Sequence, residues 1–400
     1  CALAAGRRQD EQSHSHLIAT VSTTRGCVAV SKMGGGASSH LPVDHSPESQ
    51  MSTLIDEIKP KVMGKVLDTW KDSEHKEDWL GVTFDLEQLV MRLDMGKFDL
   101  GPINMTKLRP LFTDSMIHLD LSHNNVSGDI KFLQALHNLK ELKLHKTQVT
   151  GSVDKLKGLS HLSVLMLSGT KVSGDISAFS ECHDLEIVSL NDTKLTGVLE
   201  VAFGECPKLE SVRLSDSSIS GDIKIFENLP RLQGIMLRNT NVSGNVKSLK
   251  GCQMLQFVDL GETNVEGMID EFKGCRNLVQ LFLGTTKITG NVIKIGSSIK
   301  LEALVLSNTD ITGTVATFGK FNMMHTLELA NTHIDGDVSN LVGCKSLEVL
   351  NLRNCAVTGV VPIEVATLPG IDVDIEQTTC EMPPPRIAST SPIARDGKVS

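Results

Sequence analysis

A glycine returns every 23 residues between Gly128 and Gly359, and this period constrains the chain more than any other feature. The series is Gly128, Gly151, Gly174, Gly197, Gly221, Gly244, Gly267, Gly290, Gly313, Gly336 and Gly359, with one 24-residue step from Gly197 to Gly221. Each glycine sits in the same pattern, L-x-x-L-x-L-x-x-T-x-V-x-G-x-I or a close variant, as in 162–176 and 301–315. A fixed period of this length predicts a solenoid whose coils stack on one another. A single coil buries one layer of aliphatic side chains, too little to offset the entropy of ordering 23 residues. The array must therefore fold as a stack.

Within each coil the L-x-L core alternates with period two, which predicts a short strand. Stacking sets these strands side by side in a parallel sheet on the concave face. A hydroxyl column follows the strand: Thr147, Thr170, Thr193, Ser217, Thr240, Thr263, Thr286, Thr309 and Thr332, opened by Asn124 and closed by Cys355. A threonine hydroxyl both donates and accepts, so a ladder that tightens the turn is expected. The repeated glycine permits a backbone turn at positive φ. Ser or Thr precedes it in nine of the eleven repeats, which predicts a second short edge of turn hydrogen bonds. Triplets such as Phe179-Cys182-Leu185 and Phe272-Cys275-Leu278 then cover the convex side. A 23-residue coil leaves room there for turns or 3-10 segments rather than long helices.

Upstream of the array stand Leu67 and Trp70, then Trp79-Leu80-Gly81-Val82-Thr83. Together with the repeats, this segment resembles the N-terminal cap of plant-type leucine-rich-repeat proteins. The resemblance implies an α/β repeat solenoid: a right-handed superhelix with a helical N-terminal cap, binding a protein or peptide on its concave face. Glu77 and Phe84 occupy the positions of the two cap cysteines of that pattern. Loss of the cap disulfide fits a reducing compartment. The column is usually Asn in that family, so the threonines make this array a variant.

Four segments follow from the pattern. Residues 1–45 read as a disordered N-terminal segment. Within it, Met33-Gly34 opens "MGGGASSH", which fits the N-myristoylation signal if Met33 is the initiator, with Gly34 as the acceptor. Residues 46–115 read as a helical cap, started by Ser46-Pro47-Glu48, with a degenerate first repeat in which Val90, Leu93 and Met95 replace the leucines. Residues 116–380 hold eleven repeats and a C-terminal half-repeat. Glu376 is read in the hydroxyl position and taken to end the array. Residues 381–400, with Pro383-Pro384-Pro385 and no periodicity, read as a disordered tail.

Net charge is −9, without a basic stripe, which argues against nucleic acid as a partner. No apolar run approaches the ~20 residues of a membrane-spanning helix, so membrane attachment rests on Gly34 alone. No nucleophile elbow, phosphate-binding loop, zinc-protease motif or metal-spaced Cys/His set is present, and no enzyme activity, cofactor or metal is expected. Cys182, Cys206, Cys252, Cys275 and Cys344 follow the repeat phase and read as buried free thiols.

The informative residues are those the repeat leaves free, at the outward strand positions. Polar and charged residues, from His118 and Asp120 onward, dominate both ends of the array. Apolar residues gather in the middle: Val164, Met166 and Ile187, then Met236, Phe257, Phe282, Ala303 and Val305. Such a surface predicts a partner site, with Phe257 and Phe282 as anchors. The expectation is a monomeric, cytoplasmic interaction module, a scaffold or adaptor. The alternative is an extracellular recognition ectodomain or enzyme inhibitor of the plant type.

Overall fold

The computed structural model describes residues 43–58 and 79–384. Gly34, Leu67, Trp70 and Glu77 lie outside the described residues, as do both terminal segments read as disordered, apart from their inner ends.

Two sheets run the length of the array. The longer has fourteen strands, from Val82–Phe84 to Asp372–Asp374, taken in chain order. Its first pair, Val82–Phe84 with Val90–Asp94, is antiparallel, and every later pair is parallel. The register never slips along the parallel stack: Leu93, Leu119, Leu142 and Leu165 lie opposite one another on successive strands, and all are buried. An identical leucine spacing in each coil fixes this register, since a one-residue slip would turn every leucine outward. Val90–Asp94, the degenerate first repeat, pairs in phase with His118–Asp120.

The second sheet has thirteen parallel strands, from Ile103–Asn104 to Thr379–Glu381. The sequence indicated only an edge of turn hydrogen bonds here. The hydroxyls before the glycines do bond between coils: Thr150 Oγ1 donates to the Gly128 carbonyl at 3.3 Å, and Thr312 Oγ1 to that of Gly290 at 3.1 Å.

The hydroxyl column behaves otherwise. Thr240 Oγ1 donates to the Leu237 carbonyl at 2.6 Å and Thr263 Oγ1 to that of Leu260 at 2.6 Å, each within its own coil. These bonds brace the turn but do not form a ladder. Asn124 does span coils, because its amide reaches further: Nδ2 donates to the Met95 carbonyl at 2.7 Å and Oδ1 accepts from the Leu100 amide at 2.8 Å. An asparagine ladder occurs one position earlier, on the exposed turn. There Asn331 Nδ2 donates to Asn308 Oδ1 at 2.7 Å, and Asn354 Nδ2 to Asn331 Oδ1 at 3.1 Å.

Short 3-10 segments close most coils, such as Ile223–Phe226 and Val246–Leu249. The residue after the repeated glycine caps most of them: Asp222 Oδ1 accepts from the Lys224 amide at 2.8 Å, whereas Met268 offers no side-chain cap. The 24-residue coil instead carries an α-helix, Leu199–Phe203. An α-helix rises less per residue than a 3-10 segment, so it absorbs the extra residue without lengthening the coil. Phe179, Phe203, Phe226, Phe272 and Phe318 fill the core under these segments, fully buried or nearly so.

The ends are sealed by different means. Helix Pro47–Thr53 starts at Ser46, whose hydroxyl accepts from the Ser49 amide. Its Gln50 is buried, and Oε1 accepts from the Val90 amide at 2.7 Å, satisfying a strand donor. Among the described cap residues, α- and π-helix end at Ile58, and residues 79–115 form a hairpin, strands and 3-10 turns. At the other end the array does not stop at Glu376. Thr378 continues the hydroxyl column, donating to the Ile375 carbonyl at 2.6 Å, and the last coil pairs in both sheets.

Candidate functional site

The outward residues of the long sheet form two columns, because each three-residue strand from His118–Asp120 to Val349–Asn351 buries its middle side chain and turns the flanking two to the outer face, where His118, Ser211 and Gly234 alone among them are covered. All eight residues expected to form the partner site lie in these columns and are half-buried. They form two groups. Val164 and Met166 share a strand next to Ile187. Met236, Phe257, Phe282, Ala303 and Val305 occupy strands from Gly234–Met236 to Ala303–Val305. The intervening strand, Ser211–Arg213, carries a hydroxyl and a guanidinium and divides the two.

Register fixes what touches what in the larger group. Phe257 stands opposite Gly234 on one side and Gln280 on the other. Phe282 stands in the other column, between Asp259 and Val305. The two rings therefore lie on a diagonal rather than face to face. Gly234 offers no side chain, so the face is open beside Phe257.

Asp259 belongs to this patch, at an outward strand position among the apolar residues. It is flanked by Met236 and Phe282. Burial pushes its carboxyl up to about 6, against the pull of the Gly261 amide and of Arg238. Gly261 N donates to Asp259 Oδ1 at 3.1 Å. The Glu328 carboxyl is raised for the same reason, desolvation. Arg238, ion-paired with Glu262, lies at the rim. The site is thus an apolar strip containing one carboxyl that protonates easily.

A shallow polar groove of about 850 Å³ runs beside this sheet, along the turns after the strands. Asp216, Asn239, Glu262 and Thr285 line it, all at positive φ. The signal in the sequence was the column just before the hydroxyls, where Asn and Asp recur.

The N-terminal end of the same face departs from expectation. His118 was grouped with outward polar residues, yet it is 2% exposed. Ligand atoms of Asp94, His118 and Asp120 lie within 4.8 Å of one another. No motif search would find this set, because it joins two coils and its spacing is that of the repeat.

The cysteine column is made of free thiols. Cys182 Sγ donates to the Leu159 carbonyl at 3.3 Å, and Cys344 Sγ to that of Phe318 at 3.2 Å. Burial pushes the Cys182 thiol up to about 12 and those of Cys206, Cys252, Cys275 and Cys344 up to about 11.

Comparison with known proteins bears on the fold. A family model described as the BspA-type leucine-rich repeat region matches residues 175–279, in six copies. No curated protein matches the sequence. Among solved structures, the PEPR1–AtPEP1 complex is 24% identical with a TM-score of 0.62, covering 84% of this chain and 48% of that one. The leucine-rich-repeat ectodomain of the Arabidopsis receptor kinase HAESA, in complex with an IDA peptide hormone ligand, is 20% identical with a TM-score of 0.63, covering 84% and 66%. An internalin from Listeria monocytogenes is 19% identical with a TM-score of 0.54, covering 72% and 81%. The chain thus spans about half of the PEPR1 chain and about two thirds of the HAESA ectodomain. With the unslipped register of its stacked parallel strands, these likenesses establish the fold as a leucine-rich-repeat solenoid.

Proposed function

We propose that the chain is a non-catalytic interaction module that takes a protein or peptide segment on the outward face of its long sheet. The observation that carries this reading is the strip of Met236, Phe257, Phe282 and Val305, half-buried on one face and rimmed by the Arg238–Glu262 pair. Apolar anchors with a charged rim suit a partner that brings its own apolar side chains. Rigid stacking keeps such a face preorganised, which lowers the cost of binding.

The compartment we favour is intracellular, with the chain acting as scaffold or adaptor. Six buried free thiols and a cap with Phe84 in a cysteine position support it. Acylation of Gly34 would then add reversible attachment to a membrane surface. Intact mass of the native N-terminus tests that part, and a peptide reading through Lys32 into Gly34 would end it. A second reading, a peptide-recognition ectodomain, is favoured by the fold likeness to receptor ectodomains solved with peptide hormones.

The test is capture of partners by the full chain and by a Phe257→Ala, Phe282→Ala double variant. The variant should keep its circular dichroism and melting curve and lose the main partner. Equal capture by both proteins would remove the outward face from consideration. Whether the captured partner is cytosolic or extracellular then separates the two compartments.

A further inference from the structure

We propose that Asp94, His118 and Asp120 form a divalent metal site at the N-terminal end of the long sheet, taking a first-row ion such as Zn²⁺.

The parts come from two coils. Asp94 ends one strand, and His118 and Asp120 flank Leu119 on the next, with Asp94 opposite Asp120 in register. Their ligand atoms converge within 4.8 Å. Carboxylates alone would not suffice, since they cluster on many surfaces. The second observation is the imidazole. His118 is 2% exposed, and its Nε2 has no hydrogen-bond partner. The nearest charged atom is Asp94 Oδ2 at 3.9 Å, too far for a hydrogen bond. A buried nitrogen is therefore aimed at two carboxylates without bonding to either.

The other side of the ring supplies a reason. His118 Nδ1 lies 3.0 Å from Glu141 Oε2, although off the ideal hydrogen-bond line. Lys143 Nζ donates to the same oxygen at 2.9 Å and holds the Glu141 carboxylate beside the ring. The tautomer with its proton on Nδ1, toward that carboxylate, is the one that turns the Nε2 lone pair to the cluster. A carboxylate holding the far nitrogen of a metal-binding imidazole is the usual orienting arrangement. Asp120 is oriented as well: its Oδ1 accepts from the Ser122 amide at 2.9 Å and from the Ser122 hydroxyl at 2.6 Å. The Asp94 side chain is 57% exposed, which opens the cluster to solvent and gives an ion its way in.

Charge and chemistry agree. Two carboxylates and a neutral imidazole balance one dication. One nitrogen and two carboxylate ligands without thiolate suit Zn²⁺, with a coordination position left to water. The ion would tie the first coil to the second.

The test uses the full chain, reduced, free of any histidine tag and stripped with chelator. Zn²⁺ is titrated calorimetrically and Co²⁺ optically. The expected result is one equivalent bound, with a Co²⁺ spectrum lacking thiolate charge transfer. Asp94→Asn, at an exposed position, should leave the apo melting curve unchanged and weaken binding by more than about tenfold. Glu141→Gln should weaken it by about 10- to 100-fold through loss of ring orientation. No saturable binding, binding untouched by Asp94→Asn, or a thiolate band would each overturn the assignment.

Discussion

Asp259 and Phe282 lie directly opposite each other on neighbouring parallel strands, so a carboxyl and an aromatic ring share one wall of the outward face. The ring helps to withhold water from the carboxyl, and burial raises it to about 6. This pairing makes the face sensitive to pH and gives the first prediction.

Burial raises the folded Asp259 carboxyl to about 6 from its ordinary value of 3.8. The folded state therefore holds this proton more tightly than the unfolded state does. Its stabilising contribution is complete below pH ~4 and is lost as pH rises through ~6. Asp259→Asn keeps the acceptor for the Gly261 amide and removes the ionisation. The variant should match the parent in stability at pH 4 and exceed it at pH 7.5 by about 1–3 kcal/mol. Urea unfolding at the two pH values measures this, and an equal gap at both would contradict it.

Gly244 holds φ +111°, and a Cβ there would overlap the Asp222 carboxylate that caps the preceding 3-10 segment. Gly244→Ala therefore meets both backbone strain and a steric clash. We expect a loss of about 2–4 kcal/mol in unfolding free energy. The exposed Gly251, where a Cβ would meet nothing within 4 Å and φ is not positive, is the control. Gly251→Ala should change stability by less than about 1 kcal/mol.

Thr285 is a β-branched residue at φ +56°, a conformation such side chains avoid. It also heads the exposed ladder, accepting from Asn308 Nδ2 at 3.3 Å. Thr285→Asn relieves the strain and supplies the ladder residue used at Asn308, Asn331 and Asn354. Stability should rise by about 0.5–1.5 kcal/mol, read from chemical denaturation. A fall would show that the hydroxyl does more at this turn than the amide can.

Thiol reactivity should divide the cysteines. Burial raises those of the internal column and keeps them as thiols, which are poor nucleophiles. Cys380, half-buried, is the accessible one among the described residues. In a Cys1→Ser, Cys27→Ser background, alkylation of native protein at pH 8 should label Cys380 first. The other six should react only after unfolding. Early labelling of Cys206 or Cys252 would mean that the coils open locally.

The sequence by itself determined the repeat, the strand in each coil, the leucine core and the column that turns after it. These depend on residues within one period, and local spacing dictates them. It also identified the outward columns that hold Phe257 and Phe282. The tertiary structure decided what lies between coils. Asp259 meets Phe282, and His118 meets Asp94, only because successive strands stack in an unslipped register. The column threonines donate to carbonyls of their own coils while the hydroxyls before the glycines bond across, since reach and direction, not residue type, select the partner. The phase error at Glu376 has the same origin: Gln377 takes the positive-φ turn and Thr378 the hydroxyl position, a placement set by pairing with the coil before it. A periodic sequence specifies each coil through its short-range pattern, whereas contacts between residues one period apart exist only once the coils are stacked.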